Sequence, residues 1–254
     1  ASANTDDGSC TTPVVNGCTD PTYTEYNVAA NTDDGSCQTL ASNCDSPSMD
    51  GYSYAVVEIG DQCWFAENLR TTVYADDSDI PEVAGNGEWV VLSSGARCDY
   101  DNDASNVNTY GRLYNWYAVD DSRGLCPSGW HVPTDGEWTD LEDYITSQGF
   151  SGLEGWALKS TSGWFGGCNC FDDFGFSALP GGYRVHDLGF FDYGGGFGYL
   201  WSSSPYSGNA WYRLLRFNNP VIYRDYYNRR AGFSVRCLRD CLLYTSDAAD
   251  DWFC

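Results

Sequence analysis

The chain has 254 residues, enough for one large domain with appendages and for a core that no metal need hold together. Its 13 Lys and Arg stand against 36 Asp and Glu, a net charge of -23. Such a field repels nucleic-acid phosphates and anionic lipid, and no apolar run approaches the ~20 residues of a membrane span, so nucleic acid and membrane insertion are set aside. Twelve cysteines lack paired C-x2-C clusters, and the two histidines are isolated. That argues against zinc and for disulfides formed in an oxidising compartment. With 10 Trp, 19 Tyr, 12 Phe and 28 Gly, the composition describes a turn-rich, aromatic-packed extracellular fold. The chain does not begin with Met and shows no signal peptide, as a mature or fragmentary sequence would.

A repeat opens the chain. Ala3-Asn4-Thr5-Asp6-Asp7-Gly8-Ser9-Cys10 recurs as Ala30-Asn31-Thr32-Asp33-Asp34-Gly35-Ser36-Cys37. One full unit runs from Gly17 to Cys37, too small for its own core, and a Cys18–Cys37 bridge is its natural staple. The first copy lacks its start, which would leave Cys10 without its partner. The unit resembles the short GCTDP…DDGSC repeats strung between domains of secreted bacterial surface proteins, although Val28 stands where those have Pro. Its acidic turn reads either as a calcium loop or as a hydrated turn. The spacing falls one residue short of an alternating carboxylate loop, which favours the hydrated turn.

The main domain spans 44–240. Tyr54–Ile59 reads as a strand and Gly60-Asp61 as a turn. Tyr110–Val119 carries Leu113, Trp116 and Tyr117 at helical spacing. A second helix has a capping box at Thr134 and Glu137, with Trp138, Leu141 and Ile145 on one face. After Gly149, short strands follow: Tyr199–Ser203, Trp211–Phe217, Val221–Arg224 and Phe233–Leu238. Two helices followed by short antiparallel strands predict a disulfide-bonded α+β domain. Residues 241–254 read as the translation of a sequencing adapter and are excluded from fold reasoning.

Blocks from Val57 to Asp240 carry a family resemblance. They are Ile59–Leu69 (IGDQCWFAENL), Tyr100–Asp103 (YDND), Tyr110–Trp116 (YGRLYNW), Cys126–Pro133 (CPSGWHVP), Leu158–Trp164 (LKSTSGW), Gly175–Arg184 (GFSALPGGYR), Trp201–Ser204 and Gly232–Asp240 (GFSVRCLRD). In this order they resemble the Fibrobacter succinogenes major paralogous domain. The resemblance implies a C-type-lectin-like fold of the formylglycine-generating-enzyme type, with secretion or surface display and no established catalysis. It also implies a Cys126–Cys237 bridge, since both residues lie in the best-matching blocks, and a second pair, Cys63–Cys98. Cys168 and Cys170 lie where the family usually lacks cysteine. They look too close for a mutual bridge and would take separate partners, Cys44 among them.

Candidate sites follow. Asp99, Asp101 and Asp103 alternate as calcium ligands can, but Ala104 and Tyr110 stand where a calcium loop has Gly and Glu, so a solvated turn capping the next helix is the competing reading. No other cofactor is expected. His131 reads as a packed motif histidine rather than a general base, and neither histidine has a nucleophile motif beside it. No matched catalytic cysteine pair is seen, so the expectation is a binding module, not an enzyme. Tyr206, Asn209, Trp211, Tyr212, Arg213, Arg216, Tyr223, Arg224, Tyr226 and Tyr227 form an aromatic and Arg-rich stretch. It reads as a recognition surface for a glycan or protein, or else as strand packing with the arginines paired to the acidic surface. The rival classes are a structural spacer of a surface protein and a formylglycine-generating-type oxidase. The stretch, with Asn218, Asp225 and Asn228, also holds the palette that adenine-directed diversification of Asn codons produces, as does an ordinary Tyr- and Asn-rich ending. Alternation with Trp211, Phe217 and Phe233 would put those side chains on one face.

Overall fold

Residues 14–19, 25–37 and 44–240 are described by a computed structural model, and the chain divides into two units, Ala1–Asn43 and Cys44–Cys254. In the first unit β1 (Asn16–Gly17) pairs in parallel with β2 (Thr32–Asp33), and Cys18 is disulfide-bonded to Cys37. The acidic turn closes on itself. Asp33 Oδ1 accepts the Gly35 amide and Asp34 Oδ1 the Ser36 amide, both at 3.0 Å. Such side-chain-closed turns suit Asp and leave less of each carboxylate for a metal. The first repeat copy and residues 241–254 lie outside the described residues.

The second unit is α+β. A hairpin joins β3 (Val56–Ile59) to β4 (Gln62–Phe65) through Gly60. Its φ of 62° favours glycine, and a Cβ added there would lie 2.9 Å from the Tyr144 ring, so both backbone and space exclude a side chain. A short β5 (Trp130–His131) follows. Next comes α1 (Asp135–Ile145), begun by the predicted capping box of Thr134 and Glu137. Trp138, Leu141 and Ile145 are its buried face. After the short α2 (Glu154–Leu158) the chain forms β6 (Gly181–Arg184), β7 (Phe191–Gly194), β8 (Phe197–Tyr206), β9 (Asn209–Arg216) and β10 (Tyr223–Asn228). These make a five-stranded sheet in the order β7-β6-β8-β9-β10, antiparallel except for β6 with β8. The last strand, β11 (Leu238–Arg239), returns to sit between β4 and β5, so a four-stranded sheet ties both ends of the unit together.

Two expected elements differ. Tyr110–Val119 is not one helix. A turn of helix at Val107–Tyr110 stops at Gly111, where φ is 68° and an added Cβ would lie 2.6 Å from the Leu69 carbonyl oxygen. A short strand at Leu113–Tyr114 follows, then a second helical turn at Trp116–Val119, capped by Asn115. Phe233–Leu238 becomes regular strand only at its end. Gly232, Phe233 and Ser234 make single bridges to Arg184, Tyr114 and Leu200, and residues 231–238 run buried between other elements.

The five-stranded sheet separates two aromatic cores, as its period-2 geometry requires. Leu200 and Leu215 pack with Trp64, Trp138, Leu141 and Ile145 on the helix side. Tyr199, Trp201, Tyr212 and Leu214 pack with Phe65, Tyr114, Trp116 and Phe233 on the other. Cys126 and Cys237, 111 residues apart in sequence, are bridged beside β11. Cys63 pairs with Cys44, not with Cys98. Cys63 belongs to the second of these cores, whereas Cys98 is buried in a separate cluster with Trp89, Ala96 and Leu113 and remains a free thiol. Cys168 and Cys170 are joined to each other, against the expectation from their spacing.

Candidate functional site

Strand register sorts the C-terminal candidates. Trp201 opposes Tyr212, Tyr199 opposes Leu214 and Phe197 opposes Arg216. On the next strand Ala210, Tyr212 and Leu214 oppose Tyr227, Asp225 and Tyr223. These side chains share the face away from α1. The intervening residues Asn209, Trp211 and Arg213, opposed by Asn228, Tyr226 and Arg224, share the other face together with Tyr206. The ten candidates therefore divide between two surfaces, and the expectation that one face carries the whole variable palette is overturned by the alternation itself.

On the face toward α1, Arg213 is not available to a ligand. Its guanidinium is fully buried, bonded to Asp135 at 2.6 Å and to Glu142, and it clamps α1 onto β9. Arg224 shares Asp135 at 2.7 Å and lies 3.7 Å above the Trp211 ring centroid. Beside it Tyr206 contacts Trp211 at 4.6 Å and Tyr226 at 4.4 Å between ring centroids, and both tyrosines are exposed. This aromatic group leans on a neutralised ion pair.

The opposite face is built differently. Phe233 lies beneath Tyr199, Trp201, Tyr212 and Tyr227, with ring centroids 4.2 to 5.8 Å away. Tyr183 of β6 adds a ring 4.7 Å from Tyr199, and Tyr193 stacks on Phe197 at 4.4 Å and 9°. Tyr199 and Tyr212 are only 8% and 6% exposed, yet their hydroxyls have no hydrogen-bond partner among the described residues and are not sealed from solvent. Burial is the main cause that raises their pKa values, Tyr212 to about 12 and Tyr199 beyond it, so both phenols stay protonated. Arg216 crosses this surface, its guanidinium 4.4 Å from the Tyr223 centroid and 5.4 Å from Phe197. Its Nε is buried without an acceptor. Among the described residues it is the one guanidinium with neither a hydrogen bond nor an ion pair. Lys159, the only lysine, fixes its backbone by donating to the Arg216 and Asn219 carbonyls at 2.7 and 2.9 Å.

Tyr183, Tyr193, Phe197 and Tyr199 were missed in the sequence. The alternation Phe197-x-Tyr199-x-Trp201 was the available signal for two of them. Tyr183 and Tyr193 join only through the neighbouring strands.

The carboxylates of Asp99 and Asp103 have other work. Asp99 is buried against Arg112, Asp103 caps the Ser105 amide at 2.9 Å, and Asp101 lies between them at a φ of 56°. No group of three His, Cys, Asp or Glu side chains that could hold a metal occurs among the described residues. A cleft of about 380 Å³ lies elsewhere, lined by Asp61, Gln62, Glu137, Asp140, Tyr144 and Arg239 among others, and includes none of the C-terminal aromatic residues. Within it Glu137 is engaged by His131 and the α1 cap. Among the described residues no helix is long and apolar enough to cross a membrane.

No curated protein and no solved structure matches the chain. The Fibrobacter succinogenes major domain matches it over residues 57–239, which is most of its length, and the chain belongs to that family.

Proposed function

We propose that this domain is a binding module of a secreted or surface-displayed protein, with a C-type-lectin-like fold, and that its glycan or protein ligand lands at the solvent-open margin of the tyrosine face, beside Arg216 and Tyr193, where the core against that face ends. The disulfides support an oxidising compartment. The pairing of strands from both ends of residues 44–240 in one sheet, and the one long helix among the described residues, support the lectin-like reading. One observation carries the function. Two nearly buried tyrosines keep unpartnered hydroxyls open to solvent on an aromatic face, around an unpaired arginine. Interiors satisfy their polar groups, so polar tips left open in a packed surface suit an outside partner.

The test is a glycan array together with a pull-down, using the wild type and a Tyr199→Phe/Tyr212→Phe double variant. The variant keeps both rings and removes both hydroxyls. A saturable ligand whose affinity falls by roughly fivefold or more in the variant is expected, the loss of one or two neutral hydrogen bonds. The absence of any saturable ligand on either platform would leave a structural spacer as the better description.

A further inference from the structure

We propose that the ligand is a sugar ring bearing a carboxylate, as in the uronic acid units of an acidic polysaccharide, and that Arg216 receives that carboxylate. This rests on the binding-module reading above and names its ligand class.

Acidic residues outnumber basic ones 36 to 13, so an arginine has every opportunity to find a carboxylate. The other surface-reaching guanidinium groups have done so or have bonded a carbonyl: Arg70 with Glu67, Arg97 with Glu82, Arg123 with Asp121, Arg230 with the Leu92 carbonyl. Arg216 has not. Asp225 shares its face, opposite Tyr212, but makes no ion pair with it. The guanidinium is held instead by ring contacts with Tyr223 and Phe197, and Lys159 anchors the backbone behind it. A planar fork held in place without an acceptor is prepared for bidentate contact with a carboxylate.

The surroundings select the rest of the ligand. The Tyr199 and Tyr212 hydroxyls can each donate and accept, which suits the hydroxyls of a sugar. Exposed Tyr193, stacked on Phe197, offers an aromatic surface to the C–H side of a pyranose. A peptide strand would be expected at the free edge of β10, by adding to the sheet, but these features lie on the sheet's face. The chain's net negative charge opposes an anionic ligand at long range. At physiological salt that repulsion is screened beyond about 8 Å, and the direct contact survives.

The experiment is calorimetric titration at physiological salt with a panel of oligouronates, sialyl-oligosaccharides and the methyl esters of each. Wild type, Arg216→Gln and Arg216→Lys are compared, with thermal melts confirming that each variant is folded. At least one free acid should bind the wild type, and its methyl ester should bind weaker by about tenfold or more, the loss of a charge-assisted hydrogen bond. Arg216→Gln should abolish the difference between acid and ester, and Arg216→Lys should restore part of it. Equal binding of acid and ester would overturn the carboxylate assignment. So would a neutral glycan or an acidic peptide, found on the array or in the pull-down, that is indifferent to Arg216→Gln. Either result would leave the binding-module reading standing, whereas a chain without any saturable ligand would remove both.

Discussion

His131 lies between two carboxylates, its Nε2 2.9 Å from Glu137 and its Nδ1 2.6 Å from Asp240. Burial alone would lower its pKa, but hydrogen bonds and charge from Glu137 and Asp240 outweigh that and hold it above the ordinary 6.5. The stabilisation is therefore complete below pH 6.5 and is lost as pH rises through the folded value. Glu137, also half-buried, is held below the ordinary carboxylate value by His131 and the Thr134 amide, so its share is lost only in acid. Thermal melts of wild type and His131→Gln should differ by roughly 2–4 °C near pH 6, about 1 kcal/mol, and converge as pH rises past the folded value. A pH-independent difference would mean that packing alone is involved. Arg213 makes the opposite case for the C-terminal stretch. Arg213→Met leaves Asp135 and Glu142 without their buried cation and should cost about 3 kcal/mol in chemical denaturation. Ligand affinity should stay unchanged, because Arg213 points away from the tyrosine face. Sequence alone ranked Arg213 and Arg216 together. Only the strand parity, fixed by pairing, tells the clamp from the open cation.

At the scale of elements, signals confined to a few neighbouring residues carried well. The capping box of α1 is local: Thr134 Oγ1 accepts the Glu137 amide at 3.2 Å, and Glu137 returns to the Thr134 amide at 2.7 Å. Thr134→Ala should lower stability by about 1 kcal/mol, read as a shift of the denaturation midpoint at constant slope. An unchanged midpoint would mean that Arg213 and the buried face hold the helix start without its cap. The apolar spacing of Tyr110–Val119 misled because Leu113 and Trp116 do become buried, in a strand and a separate helical turn. Gly111, pressed against the Leu69 carbonyl, breaks the segment, and that contact is not visible along the chain. In the same way Phe233–Leu238 reads as a strand because it is buried throughout, although it becomes regular only at Leu238. It passes between layers with single bridges instead of a ladder.

At the scale of the molecule, the Cys126–Cys237 bridge closes the longest loop of the described disulfides. A loop of that length is worth about 4–5 kcal/mol in the chain-entropy view. The Cys126→Ala/Cys237→Ala variant should lose most of that in denaturant titration, and a loss under about 1 kcal/mol would show that the four-stranded sheet already constrains the ends. Non-reducing peptide maps should return Cys44–Cys63, with Cys98 as a thiol that alkylates only after unfolding, since burial pushes it up to about 12. The pairing of Cys44 was hidden because a linker cysteine can reach many positions, and only the placement of β4 selects Cys63. By itself the sequence determined what depends on composition and near neighbours: the α+β class, the family blocks, the α1 cap, the Cys18–Cys37 staple and an aromatic C-terminal half rich in arginine. The tertiary structure alone decided which side of the sheet each of those residues occupies, which arginines find carboxylates and which does not. Strand pairing assigns each side chain to a face, and the partners that neutralise an arginine arrive from elements far away in sequence.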